Sequence, residues 1–227
     1  MKVYKNKRIL CFIPARKGSK RVQFKNGKLL NGRPLFQYSV DVAKKSSYVD
    51  DIIVSTDSEE ILEQAHKLGC IKNELRPDYL SDDKARIIDS MLYELSLLDE
   101  HYDAIILLQP TFPYRTVDLL DSAIEKYFDK ETSLITVVKS KEQPLFIRRI
   151  VNDKLEKILC DSSDVRSQCF EEFYRIIGCI YINNVNLITK ETVLNENEIP
   201  LIIDDSFDID IDTSEDFERA ERKIKGE

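Results

Sequence analysis

The 227-residue chain has no tryptophan and only two histidines, His66 and His101. Serine–histidine chemistry and histidine-rich metal centres therefore have little to build on. Five cysteines stand at 11, 70, 160, 169 and 179. Their odd number and the lack of any CxxC spacing argue for reduced thiols rather than a disulfide framework or a zinc site. Long apolar runs are missing too: none approaches the roughly 20 residues that span a bilayer. The stretch Ile9–Ile13, behind a basic N-terminus, is too short for a signal peptide. These absences predict a soluble, cytoplasmic protein with no membrane partner.

The first 40 residues contain no Asp or Glu, but they hold 11 Lys and Arg. All 41 acidic residues lie beyond them, against 23 basic ones. An acidic protein with one basic segment is a poor match for nucleic acid. A small polyanion such as a nucleoside triphosphate suits it better. The length allows one domain, 1–227, with a full hydrophobic core.

The apolar runs that are present alternate between strand and helix character. Arg8–Pro14, Asp51–Ser55, Ala104–Gln109 and Leu134–Val138 read as buried strands. Helical patterns fill Pro34–Lys45, Ser58 to about Gly69, Ala85–Leu98 and Thr116–Phe128. Gly178–Asn183 and Leu201–Ile203 return to strand character, and Thr213–Lys225 closes as a helix. This order predicts an α/β fold with a mostly parallel sheet flanked by helices. The polar segment 143–177 breaks the rhythm and reads as an excursion from the core.

In such sheets, ligands bind beyond the carboxyl ends of the strands. Three loops fall there. Pro14–Asn26 (PARKGSKRVQFKN) carries Arg16, Lys17, Lys20, Arg21 and Lys25 around Gly18, donors suited to a triphosphate. It matches neither GxxxxGK[ST] nor GxGxxG, and a solvated basic loop is the competing reading. Gln109–Arg115 (QPTFPYR) is stiffened by two prolines. It would present Gln109, Thr111 and Arg115 to a polar ligand, or serve only as a rigid turn. In Asp208–Thr213 (DIDIDT), an extended backbone would put Asp208, Asp210 and Asp212 on one face. Clustered carboxylates favour a cation, and all-oxygen ligands favour magnesium. An acidic helix start is the alternative. A basic loop and an aspartate pair together suggest phosphoryl or nucleotidyl transfer.

Five ordered stretches resemble the acylneuraminate cytidylyltransferases, the CMP-sialic acid synthetase family: Ile13–Asn26, IIVSTDSEEI at 52–61, LRPDYLSDD at 75–83, LLQPTFPYR at 107–115 and DIDT at 210–213. The resemblance implies a Rossmann-like nucleotidyltransferase fold with a dimerisation arm at 143–177. It implies a homodimer that transfers CMP from CTP to the anomeric hydroxyl of a nine-carbon nonulosonic acid, N-acylneuraminic or legionaminic, and releases pyrophosphate. By position, Ala15, Arg16, Lys20, Lys25, Asn26, Arg76, Asp82 and Asp83 are expected to bind CTP. Gln109, Thr111, Arg166 and Arg175 are expected at the sugar, and Asp210 and Asp212 at magnesium. Arg16, Lys25 and Asp212 are the expected catalytic residues. Transfer to pseudaminic acid or Kdo, or a non-catalytic nucleotide-binding relative, are the alternatives. Arg21 stands where sialic acid enzymes often have glycine, and GSKR and LSDD look closer to the pseudaminic and legionaminic branches.

Overall fold

The computed structural model describes residues 7–130, 132–158, 171–207 and 209–225. Ile9–Pro14 forms β1, buried from Ile9 to Ile13. A strand apolar on both faces belongs in the middle of a sheet covered by helices on both sides. The segment after β1 contains a small hairpin, Leu29–Leu30 (β2) with Arg33–Pro34 (β3). Its turn residues, Asn31 and Gly32, sit at φ 47° and 79°. Two-residue hairpin turns favour such residue types for that reason.

Helix α1 spans Leu35–Lys45, with Pro34 at its N-cap. Strand β4 (Asp51–Ser55) leads to α2 (Glu59–Lys67). The Ser58 side chain caps α2 by accepting from the Ile61 N–H, and Glu59 and Glu60 suit the positive end of its dipole. Gly69, at φ 81°, ends it as only glycine does cheaply. Then come α3 (Ile87–Leu97), β5 (Ala104–Leu107) and α4 (Val117–Phe128), which Thr116 caps. Strand β6 (Ser133–Lys139) is followed by a separate hairpin of β7 (Arg148–Val151) and β8 (Lys154–Lys157). Strand β9 (Tyr174–Asn184), β10 (Ile199–Ile202) and α5 (Ser214–Lys225) complete the chain.

The six-stranded sheet has the order β10-β6-β9-β5-β1-β4. All pairings are parallel except those of β9, which runs antiparallel to both β5 and β6. Along β1, Ile9, Cys11 and Ile13 face a core shared with Phe36 of α1, Ile61 of α2 and Leu120 of α4. Leu10 and Phe12 face the opposite core, with Ile88 and Met91 of α3. Each such buried side chain contributes roughly 1.5–3 kcal/mol.

The segment 143–177 divides into two parts. The β7–β8 hairpin stands apart from the main sheet. Tyr174 to Ile177 belong to β9, which is longer than Gly178–Asn183 suggested because Tyr174, Arg175 and Ile176 pair with Lys139, Val138 and Val137. Residues 159–170, with the expected sugar residue Arg166, lie outside the described residues.

Candidate active site

The parallel strands β1, β4 and β5 end at one edge of the sheet. A cleft of about 390 Å³ opens there. Its walls include Arg16, Lys25, Asn26, Arg76, Asp82, Asp83, Gln109, Thr111, Asp210 and Asp212. Residues from four distant stretches thus meet where an open α/β sheet places its ligand.

The loop after β1 is anchored at both ends. Ala15 is buried, donates its N–H to the Ser55 carbonyl at 2.8 Å, and its carbonyl accepts from the Thr56 hydroxyl at 2.7 Å. Its backbone is thereby committed to the protein. Asn26 is also buried and ties the loop to itself by donating to the Arg16 carbonyl at 2.9 Å. Between them Phe24 adopts φ 53° and its carbonyl accepts from Gly27 and Lys28. A Cβ on Gly27 would lie 2.1 Å from the Phe24 ring. That tight turn aims Lys25 inward, while Lys20 and Arg21 remain outside with exposed side chains. The basic character alone gave no hint of this division.

Lys25 donates to the Ile211 carbonyl and to Asp212 Oδ1, each at 2.9 Å. Arg21 holds the other Asp212 oxygen at 3.0 Å. The aspartate loop is not a regular strand, but Ile209 and Ile211 are buried, and Ile211 donates to the Thr111 carbonyl at 2.9 Å. Asp210 lies above its ordinary carboxylate range. Desolvation is the main cause, Asp212 adds to it, and a hydrogen bond with Thr111 and the charge of Lys25 oppose it. Asp208 lies outside the described residues.

On the nucleotide wall, Arg76 is almost fully buried. It donates to the Ser55 hydroxyl at 3.0 Å, to the Ser55 carbonyl and to the Leu80 carbonyl at 3.4 Å. Burial pushes its pKa down to about 10. Behind it Glu94 of α3 is also buried, hydrogen-bonded with Ser55 and accepting from Asn73 at 3.3 Å. Desolvation raises Glu94. Glu94 supports the site, through Ser55 of the 52–61 stretch, without belonging to any of its motifs. Its only signal in the sequence is a charged residue inside an apolar helical pattern.

Across the cleft, Arg16 donates to the Ser81 and Asp82 carbonyls at 3.3 and 3.1 Å and pairs with Asp83 at 3.2 Å. Lys20 pairs with the other Asp83 oxygen at 2.5 Å. Asp82 accepts from the N–H groups of Lys84 and Ala85, both at 2.7 Å, which shapes the turn.

Gln109 lines both the main cleft and an adjoining cavity of about 300 Å³, whose walls include Tyr181, Val193 and Asn195. Its side chain passes close to Gly178. Arg115 is a different case: it is buried and donates to the carbonyls of Cys179 and Gln109 and to the Ser39 hydroxyl. Those donors hold the fold together and do not face a ligand. Arg175 is exposed on β9 and lines neither cavity.

Known proteins resemble this chain over nearly its whole length. The family model described as "Cytidylyltransferase" matches residues 10–220. The chain is 33% identical over 226 residues to the CMP-N,N'-diacetyllegionaminic acid synthase of Legionella pneumophila, covering 96% of this chain and 97% of that protein. It is 29% identical to a pseudaminic acid cytidylyltransferase of Campylobacter jejuni, over 93% and 94% of the two chains. It is 30% identical to the N-acylneuraminate cytidylyltransferase of Escherichia coli O18:K1:H7, covering 94% of this chain but 51% of that longer one. Among solved structures, CMP:2-keto-3-deoxy-manno-octonic acid synthetase complexed with CTP superposes with a TM-score of 0.73 at 15% identity, over 96% and 99% of the chains. That likeness concerns the fold. Placed beside the cleft of cations and paired aspartates, the family match over nearly the whole chain leads to one conclusion: this protein belongs to the cytidylyltransferase family.

Proposed function

We propose that the protein transfers CMP from CTP to the anomeric hydroxyl of a nine-carbon nonulosonic acid of the legionaminic or N-acylneuraminic kind, releasing pyrophosphate. One observation carries this reading: Gln109 stands at the junction of two adjoining cavities. The larger has cations and carboxylates, and suits a nucleoside triphosphate. The smaller suits a polar sugar. A hydroxyl held at the junction is placed to attack the α-phosphate from the cation-lined cleft.

Arg16 and Lys25 supply positive charge where negative charge accumulates on the phosphates during transfer. The turn Ser81–Asp83, with Asn26 and Arg76 behind it, frames the nucleotide. Thr111 orients Asp210. The donor set at Asp210 and Asp212 fits magnesium, which needs only one or two carboxylates beside phosphate oxygens and water. Among the described residues no group of three or more His, Cys, Asp or Glu is placed to hold a metal ion. When bound there, magnesium would neutralise phosphate charge. Asp212, already the partner of Lys25 and Arg21, would also receive the acceptor's proton.

We further propose a homodimer. Ile150 and Leu155 of the β7–β8 hairpin are each 73% exposed, with Phe146, Ile147 and Ile158 nearby also exposed. Contiguous apolar surface of this kind marks an interaction face. Arg175 and Arg166 would then serve the partner's sugar site. Among the described residues no helix is long and apolar enough to cross a membrane. The cytoplasm, which holds CTP, is the proposed location.

The test is pyrophosphate release from CTP and magnesium with legionaminic, N-acetylneuraminic and pseudaminic acids and Kdo as acceptors. Turnover with a legionaminic or N-acylneuraminic acid is expected, and none after chelation of the metal. Turnover with Kdo or pseudaminic acid alone would overturn the acceptor class. No turnover with any acceptor would count against the transfer itself.

A further inference from the structure

Two of the cations in the phosphate loop are joined by one carboxylate. Asp83 holds Lys20 at 2.5 Å through one oxygen and Arg16 at 3.2 Å through the other. It reaches them from the opposite wall of the cleft, on the turn after Leu80. A carboxylate cannot ligate a phosphate: both are anions, and like charges in one site repel. Yet Asp83 sits on the groups best suited to bind a triphosphate.

We propose that Asp83 is an anionic placeholder, occupying the phosphate subsite of Arg16 and Lys20 until the triphosphate displaces it, and thereby setting the affinity for nucleotide. This inference rests on the nucleotide reading above and reverses the simplest expectation for Asp83, that it helps to bind CTP.

Three further observations support it. First, the ion pairs are the main reason the Asp83 carboxylate lies below its ordinary range: Lys20 is the largest cause, and Arg16 adds to it. Second, the tie involves flexible groups that can part without disturbing the core. The Asp83 and Lys20 side chains are 47% and 78% exposed. Third, the turn has room to yield. Behind it lies a third cavity, of about 540 Å³, which shares Leu80, Asp82 and Ala85 with the main cleft. Arg16 also holds this turn through the Ser81 and Asp82 carbonyls, so a phosphate that recruits Arg16 loosens the turn at three points at once.

A placeholder has two consequences. It keeps the cations in position and neutralised in the empty site. It also competes with pyrophosphate, which speeds the departure of that product.

The experiment is calorimetric binding of inorganic triphosphate and of CTP, without metal, to the wild type and to Asp83→Asn. The variant is expected to bind both ligands roughly three- to tenfold more tightly, the scale of one or two exposed ion pairs. The gain is expected to shrink as salt is raised. It is also expected to shrink in the Lys20→Gln background, where there is less of an anion site to unblock. Asp78→Asn controls for the mere loss of a nearby negative charge, since Asp78 is exposed and does not line the cleft. Equal or weaker binding of inorganic triphosphate by Asp83→Asn would overturn the proposal, as would an equal gain from Asp78→Asn. A wild type that binds inorganic triphosphate but not CTP would overturn the cytidylyl reading, with Asp83 still judged by the inorganic ligand. Binding of neither ligand by the wild type would overturn both.

Discussion

The Lys25 ammonium joins the two halves of the site, donating at 2.9 Å to both the Ile211 carbonyl and the Asp212 carboxylate. Its side chain is 13% exposed, against 68% for Arg21 and 78% for Lys20. A cation that is already largely desolvated and fixed needs little reorganisation when charge builds on a phosphate. Lys25→Met is therefore expected to lower kcat by roughly 10²–10³-fold, the scale seen when a preorganised donor is lost. The same change in Lys20 should cost far less. Steady-state kinetics on the two variants checks this, and equal losses would refute the distinction.

Arg115 has a structural task. Its guanidinium connects β9, α1 and the loop after β5 through Cys179, Ser39 and Gln109. Arg115→Ala leaves two buried acceptors and one half-buried one without that donor, and is expected to cost about 2–4 kcal/mol. Urea unfolding measures it. If Arg115 served a ligand instead, the variant would keep its stability and lose activity alone.

The main site motifs were legible in the sequence because they are clustered along it. A basic loop after an apolar strand and two aspartates alternating with isoleucine need no tertiary context to be noticed. The α/β order was legible for a similar reason, since continuous apolar runs mark buried strands. What stayed hidden depends on contacts between distant residues. Strand β9 runs antiparallel and begins at Tyr174 because its first residues pair with Val137 to Lys139, and no local pattern encodes that. Arg115 looked like a ligand donor because its partners lie up to 76 positions away. The inward Lys25 and outward Lys20 and Arg21 are separated by the Phe24–Gly27 turn, which charge alone does not signal.

Glu94 gives a pH prediction. Burial raises its folded carboxyl above the ordinary value of 4.5. The folded state therefore holds a proton that the unfolded state has released, so stability falls as pH rises from about 4.5 towards the folded value. Glu94→Gln removes this titration and keeps the shape. Relative to wild type, the variant is expected to gain stability as pH increases from about 5 to about 8. Urea unfolding at several pH values tests it. A stability difference that stays constant, or one that favours wild type more at high pH, would show that Glu94 is charged in the fold and held by Arg76.

Gly178 tests whether the Gln109 amide orients the acceptor. A Cβ at Gly178 would stand 2.5 Å from Gln109 Oε1, 3.0 Å from its Cδ and 3.2 Å from the Phe112 ring. The Gln109 side chain is the flexible party, since its amide is at the far end of a chain that lines open space. Gly178→Ala should thus displace the amide rather than the backbone. The strain is offset by the lower entropy of an unfolded alanine, worth about 0.4–1 kcal/mol. Thermal stability is expected to change little, and CTP affinity not at all. The KM for the sugar should rise roughly tenfold, as expected when a hydrogen bond of about 1.4 kcal/mol is lost. Kinetics with each substrate varied in turn separates the two effects. An unchanged sugar KM would remove Gln109 from the acceptor site, while an equal rise in both KM values would point to a distorted sheet edge instead.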